Sequence, residues 1–428
     1  MIMFLLFLAI FPYRVLAQWP YEFKFVRVGD VSLNVYVVCL DGVDAHGVGD
    51  VSETVEGVHR AARIPLHSAE QPEEGIIWFR SGFSPDPLFT YYGVKVNVSV
   101  TVVGNWSMYR EVVEEGSNSI VVNAHGETIP VPAGYAKEDW VDQIASAMAE
   151  RNMTWVHTTW YPFYYYQPQG GLEEEWGEEG FKRLMSNMGK DNITCLTRWG
   201  NHGERTKTPL TFEAYWTIRE VWSFDQARRV ELGRPLRASD FENYTVMPIW
   251  GYTAAYLTGA VIKFAEAYNA TSSFGFYVHV GTNQTFDCDG DPTLNCDYLR
   301  GYAGAAAAIW TASLRNVAEK HVLDARQAIT KAENEGRTKG LDEALDLLQQ
   351  AEAFLTGENE FNLQHSYDST IVLAKMAKES AEKATEPGPT ETYGPQIIVV
   401  GATTAAAAVA STIIMVRKRN SKKKAKDE

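Results

Sequence analysis

The sequence predicts a mixed α/β chain: a doubly wound, mostly parallel sheet, then a small α-helical bundle, then one C-terminal transmembrane helix. Three observations predict it. Short apolar runs of strand length alternate with amphipathic helical stretches between residues 18 and 312. From Asn316 to Ala384 the composition shifts to Ala, Glu, Lys, Leu and Gln at helical spacing, without proline. Gln396 to Val416 carries no charge and runs directly into Arg417-Lys418-Arg419.

In the first part, Phe23 to Val28, Leu33 to Leu40 and Ile76 to Arg80 read as strands around a Gly/Asp/His-rich loop. Val94 to Val103 is β-branched and strand-like, and Tyr109 to Glu115 a short helix. Ser119 to Asn123 and Thr154 to Thr159 read as strands, and the stretch between them, Lys137 to Arg151, as a helix with Trp140, Ile144, Ala147 and Met148 on one face. Glu178 to Met188, Phe212 to Phe224 and Leu257 to Tyr268 are expected to be helices. Phe274 to Val280 is expected to be a strand and Asp297 to Ser313 an Ala-rich helix. Buried strands alternating with helices imply parallel pairing.

Residues 313–385 are expected to form three antiparallel helices, broken at Gly336 to Gly340 and at Thr356-Gly357. This bundle reads as a stalk, or alternatively as a partner-binding element. Residues 386–395 hold three prolines and two glycines and read as a linker.

The ends carry addresses. Residues 1–17 read as a signal peptide, with an apolar run and Ala17 at the cleavage position, although no Lys or Arg precedes the run. Residues 396–416 span ~31 Å as a helix, which matches a hydrocarbon core of ~30 Å. The basic residues after them place 417–428 in the cytoplasm by the positive-inside rule. Gly401 and Ala405 have the spacing that lets two such helices pack, so an oligomer through this helix or the stalk is one expectation. Seven sequons, at Asn97, Asn105, Asn152, Asn192, Asn243, Asn269 and Asn283, all lie before the helical region and predict a glycosylated exterior.

The formal net charge is -15, but the last twelve residues carry a balance of +5, so the rest carries -20. An acidic exterior excludes nucleic acid as a partner. It fits a solvated surface, or a cation-binding one. Of four cysteines, Cys288 and Cys296 are close enough to bridge a loop, while Cys39 and Cys195 are left either to pair or to stay as thiols.

In sheets of this kind, ligands bind beyond the C-terminal ends of the strands. His125 and Glu127 follow one apolar strand and are candidates for a general base or metal ligand, with His279 on a later strand as their third member. A structural turn at His125 is the plainer alternative. His125, His157 and His279 would share one sheet edge, where zinc is conceivable although no pair has zinc-motif spacing. Trp160, Tyr161 and Tyr164 stand on an aromatic loop suited to stacking on sugar faces or packing on neighbouring loops. Trp199 to Glu204 reads as a surface loop. Asp287, Asp289 and Asp291 alternate as in the opening of a calcium loop, but Pro292 replaces the turn glycine and Tyr298 the bidentate Glu. A disulfide-closed acidic loop is the other reading. No other cofactor is implied.

From Ile120 to Tyr166 the order of strand, His125-Gly126 turn, helix, strand and aromatic loop resembles the class I glutamine amidotransferase-like fold, including its degenerate ThuA-like relatives. The resemblance covers roughly residues 20 to 310 and is topological. Active members of that fold carry a Cys nucleophile in a Gly-x-Cys-x-Gly elbow. Here Cys195 lacks flanking glycines, so the resemblance implies the fold without amidotransferase activity. Caspase-like peptidases also place His-Gly after an apolar strand, but they put Cys after the next strand, where this chain has His157-Thr158-Thr159. The helical segment around Gly336 to Asp342, followed by the apolar helix, looks like the stalk of archaeal-type surface proteins. The expected function is a non-catalytic binding or structural module at the cell surface, with envelope glycans or surface proteins as partners. The alternative is an extracellular hydrolase or carbohydrate-active enzyme using His125, Glu127 and His279.

Overall fold

A computed structural model describes residues 23–63, 75–79, 81–87, 89–159, 161–189, 247–248, 257–262, 275, 277–282, 296–356 and 367–386. The strands are β1 (Lys24–Val38), β2 (Ile76–Phe79), β3 (Thr90–Val103), β4 (Ser119–Asn123), β5 (Thr128–Val131), β6 (Thr154–His157), β7 (Tyr165–Pro168), β8 (Glu174–Glu175), β9 (Met247–Pro248), β10 (Leu257–Ile262) and β11 (Tyr277–Thr282). The helices are α1 (Val51–Arg63), α2 (Trp106–Glu115), α3 (Lys137–Arg151), α4 (Glu179–Asn187), α5 (Cys296–Asn334), α6 (Leu341–Thr356) and α7 (Tyr367–Lys383).

Eight strands form the main sheet in the order β2-β3-β1-β4-β6-β11-β10-β9. The five from β3 to β11 are parallel, and β2, β9 and β10 join antiparallel at the flanks. β4 shows why the middle is parallel. All five of its residues are buried, as a strand covered on both faces requires. Val121, Trp155 and Tyr277 pack on α2, α3 and α4. Their neighbours Ile120, Val122, Val156 and Val278 pack on α1, α5 and α7. The two cores follow from the alternation of side chains along each strand.

Local signals set several helix ends. Asn105 caps α2 by accepting from the Met108 amide at 2.9 Å. α3 has Glu138 and Asp139 in its first turn and Arg151 in its last, and it ends on Asn152 in a left-handed conformation (φ 56°). The first half of α5 lies on the sheet and on α1. Its run Ala305 to Ala308 is fully buried, and a Cβ at Gly301 would stand 2.4 Å from the Thr54 carbonyl oxygen, so only small residues permit this approach.

Several expectations are corrected. Leu257 to Ile262 is a strand antiparallel to β11, not the start of a helix to Tyr268. Its β-branched Thr258, Val261 and Ile262 fit a ladder, and this pairing overrode the helical spacing. Phe23 to Val28 and Leu33 to Leu40 are parts of one strand, β1, joined through a bulge between Arg27 and Gly29. The Gly/Asp/His-rich region contains α1. The boundary at 312/313 falls inside α5, one continuous helix of 39 residues. Its first half lies on the sheet, and its second half forms a helical core with α6 and α7. Tyr367, Ile371 and Val372 of α7 also pack into the sheet core, so the three helices are joined to it rather than set apart.

No helix among the described residues is long and apolar enough to cross a membrane. The signal peptide, most of the linker, the transmembrane helix, the basic tail, and the helix at Phe212 to Phe224 lie outside the described residues.

Candidate functional site

The spatial order reverses between β1 and β4: the chain leaves β1 for β3 on one side and later returns to β4 on the other. The crevice beyond the strand ends at such a point is the expected ligand position. Here it is filled by residues 39–50, held down from several sides. The Leu40 amide donates to His125 Nε2 at 2.8 Å. Gln167 accepts from the Asp44 amide (2.7 Å) and donates to the Gly42 carbonyl (3.1 Å). The Glu127 amide donates to the His46 carbonyl (2.9 Å), and Arg300 donates to that of Gly47 (3.2 Å). Asp297 Oδ2 accepts from the Gly49 and Asp50 amides at 2.9 Å each and is ion-paired with Arg300.

The turn after β4 explains how His125 gets there. Asn123 Nδ2 donates to the carbonyls of Gly126 (3.2 Å) and Thr128 (2.9 Å), while its Oδ1 accepts from the His125 amide (3.2 Å). Gly126 has φ 63°, and a Cβ there would lie 2.2 Å from the His46 oxygen. Because His125 Nε2 accepts an amide proton, the ring is neutral with its proton on Nδ1. Burial pushes its pKa down to about 4, partly offset by the backbone of Asp44 and Val43. Among the described residues its buried Nδ1 has no acceptor in full hydrogen-bond geometry, although the Asp44 and Val43 backbone favours the proton there.

His157 and His279 form a separate pair. β4, β6 and β11 align Asn123, His157 and His279 in one row. The two rings stack at 5.7 Å with 10° between planes, and His157 also stacks on Phe163. His157 Nε2 is bonded to Thr159 Oγ1 at 2.9 Å. Both rings are buried. Burial holds His279 at about 3 and His157 well below the ordinary range, with His279 and Arg300 adding to the effect on His157. The three histidines therefore do not converge. His125 reaches back to the end of β1, three strands from β11, on the order of 14 Å at ~4.8 Å per strand.

Glu127 is 5 % exposed, and its Oε1 accepts from the Tyr161 amide at 3.2 Å. Burial raises its pKa to about 8, with Glu173 adding to the rise and Tyr161 and Arg300 opposing it. The carboxyl keeps its proton at neutral pH. A Glu127→Gln variant should preserve the amide contact without a titrating group. We expect it to be more stable than the parent at pH 9, with a ceiling of roughly 5 kcal/mol at 1.36 kcal/mol per unit, and to differ little at pH 5.

Around Glu127 stand residues that sequence reasoning did not single out: His46, Thr128, Glu173 and Arg300. His46 stacks on Tyr165 at 3.8 Å and donates from Nδ1 to Glu173 at 3.3 Å. Thr128 Oγ1 also donates to Glu173. The one signal for these was composition, in the Gly/Asp/His-rich loop and the run Glu173-Glu174-Glu175. Asp297, expected at the start of an Ala-rich helix, serves as the anchor of residues 49 and 50.

Tyr161 and Tyr164 are half-buried, 5.2 Å apart between ring centroids. Trp160 lies outside the described residues, as do Asp287, Asp289, Asp291, Cys288 and Cys195. Cys296 is the first residue of α5. Cys39 is half-buried, and burial raises its thiol pKa. Asn97 is exposed on β3. Asn105 is the cap of α2, and Asn152 Nδ2 donates to Asn118 at 2.8 Å, so both amides have structural partners. Asn192, Asn243, Asn269 and Asn283 are outside the described residues, while among those described no group of His, Cys, Asp or Glu is arranged to hold a metal.

The comparisons add no relative: no family model, no curated protein and no solved structure matches this chain.

Proposed function

We propose that this chain is a single-pass cell-surface protein whose glycosylated outer domain is a non-catalytic binding or envelope-structural module. In this reading the domain is a degenerate relative of the class I glutamine amidotransferase-like, ThuA-like fold. It is doubly wound, with the helical stalk leading to a transmembrane helix at residues 396–416.

One observation carries the non-catalytic reading. The end of β6, where an enzyme built like a caspase would place its nucleophile, holds His157-Thr158-Thr159, all at most 1 % exposed. The nearby His125 is committed to the Leu40 amide and is neutral. A base needs reach to substrate and a pKa near the working pH, and these rings have neither.

A hydrolytic reading rests on Glu127 alone. A carboxyl that keeps its proton to about pH 8 is what a general acid needs. Full-length protein in detergent, assayed against glycoside, ester and peptide substrates, is expected to show no turnover above buffer. Turnover abolished by Glu127→Gln would replace the binding-module reading with the hydrolytic one. Placement is tested on intact cells: an external protease should remove the outer domain and leave the basic tail protected.

A further inference from the structure

The small sheet β5-β7-β8 presents one arrangement twice. β7 and β8 pair Tyr166 with Glu174 and Tyr165 with Glu175, so each Tyr–Glu pair faces a different side. On the first side the Tyr166 hydroxyl donates to Glu174, and the Tyr166 ring meets Trp176 edge-on at 6.1 Å. The Lys137 ammonium lies 4.2 Å from the Tyr166 centroid and 5.2 Å from that of Trp176. This side is an aromatic–carboxylate seat already filled by one of the chain's own amines.

The second side repeats the Tyr–Glu pair. Tyr164 donates to Glu175 Oε1 at 2.9 Å, and its ring lies 5.2 Å from those of both Tyr161 and Tyr165. Glu173 borders the set through His46, which stacks on Tyr165. The three tyrosines are half-buried, and Glu175 is exposed. Among the described residues no Lys or Arg lies over Tyr164 or Tyr165. Phe163 takes a left-handed conformation (φ 60°), unusual for a bulky residue, which sinks its ring under Trp155 and His157 between Tyr161 and Tyr164.

We propose that the face formed by Tyr164 and Tyr165 with Glu173 and Glu175 is a binding site for an organic ammonium group, primary or quaternary. The proposal names a ligand class for the binding module and rests on that reading. Tyrosine faces alone would also suit a sugar. The carboxylates at the rim, and the lysine seated on the twin side, select the cation.

The experiment is calorimetry on the full-length protein in detergent, with choline, with an N-acetylated lysine amide, and with the uncharged carbon isostere of choline. At least one cation is expected to saturate the protein, with the isostere at least tenfold weaker. Tyr164→Leu and Glu175→Gln should each weaken the cation at least tenfold while leaving the melting temperature within error. Equal binding of the isostere, binding of neither cation, or binding of a neutral oligosaccharide in their place would overturn the assignment. Failure of the broader binding-module reading would appear elsewhere, as substrate turnover, so the two are separable.

Discussion

Replacing Gly126 with alanine is expected to destabilise the fold by roughly 3 kcal/mol. Two costs combine. A left-handed conformation costs a non-glycine residue about 1–2 kcal/mol. The added Cβ would also stand 2.2 Å from the His46 oxygen and 2.6 Å from Val48 Cγ2. Forcing such contacts apart costs about 1–3 kcal/mol more. The His46 carbonyl is the acceptor for the Glu127 amide, so the shift also loosens residues 39–50. Denaturant unfolding of Gly126→Ala measures the total. A loss under 0.5 kcal/mol would mean that these residues are free to move and do not pin the crevice shut. The His-Gly pair thus has a structural explanation here: histidine to hold the Leu40 amide, glycine to let two backbone segments approach.

The second large effect is with pH. His125, His157 and His279 all have folded-state pKa values below the ~6.5 of free imidazole, so the unfolded chain takes up protons first. Their stabilisation is complete above pH 6.5 and is lost as pH falls through the folded values, about 4 for His125 and about 3 for His279. At 1.36 kcal/mol per unit, the ceilings are roughly 3 kcal/mol for His125 and roughly 5 for His279. Glu127 acts in the opposite sense. Its folded pKa is raised, so its contribution is complete below the unfolded value of 4.5 and is lost as pH rises through about 8. Stability should therefore peak near pH 6.5 and decline on both sides, more steeply toward acid, where three rings oppose one carboxyl. Thermal melts from pH 4 to 9 check this. A curve flat from pH 7 to pH 4 would contradict it.

The core around β4 and β6 was legible because these strands are short, fully buried and separated by a well-signalled helix. β4 and α3 were read to the residue, since Ser119 to Asn123 is buried on both faces and α3 carries charge signals at both ends. Leu257 to Ile262 misled because an apolar run supports either period, and only pairing with β11 decides. The end of the sheet domain was not visible because α5 changes partners midway, from sheet to helices, without a break in its pattern. At the candidate site, chain order located His125 and His157 at strand ends and His279 on a neighbouring strand, but direction was not readable. Whether a ring at a strand end turns to solvent, to a backbone amide or onto a neighbouring ring depends on residues far away, such as Leu40 for His125. Arg300 and Asp297 were hidden for the same reason. They act on residues 47–50, some 250 positions earlier.

The central claim is that the sheet-edge histidines are buried, neutral structural groups rather than a catalytic set. Nitrogen-15 NMR of the imidazole rings, followed from pH 5.5 to 8, tests this directly. The account predicts that His125, His157 and His279 stay neutral throughout, with Nε2 of His125 unprotonated and its proton on Nδ1. A ring among the three that titrates between pH 6 and 7.5 would contradict it.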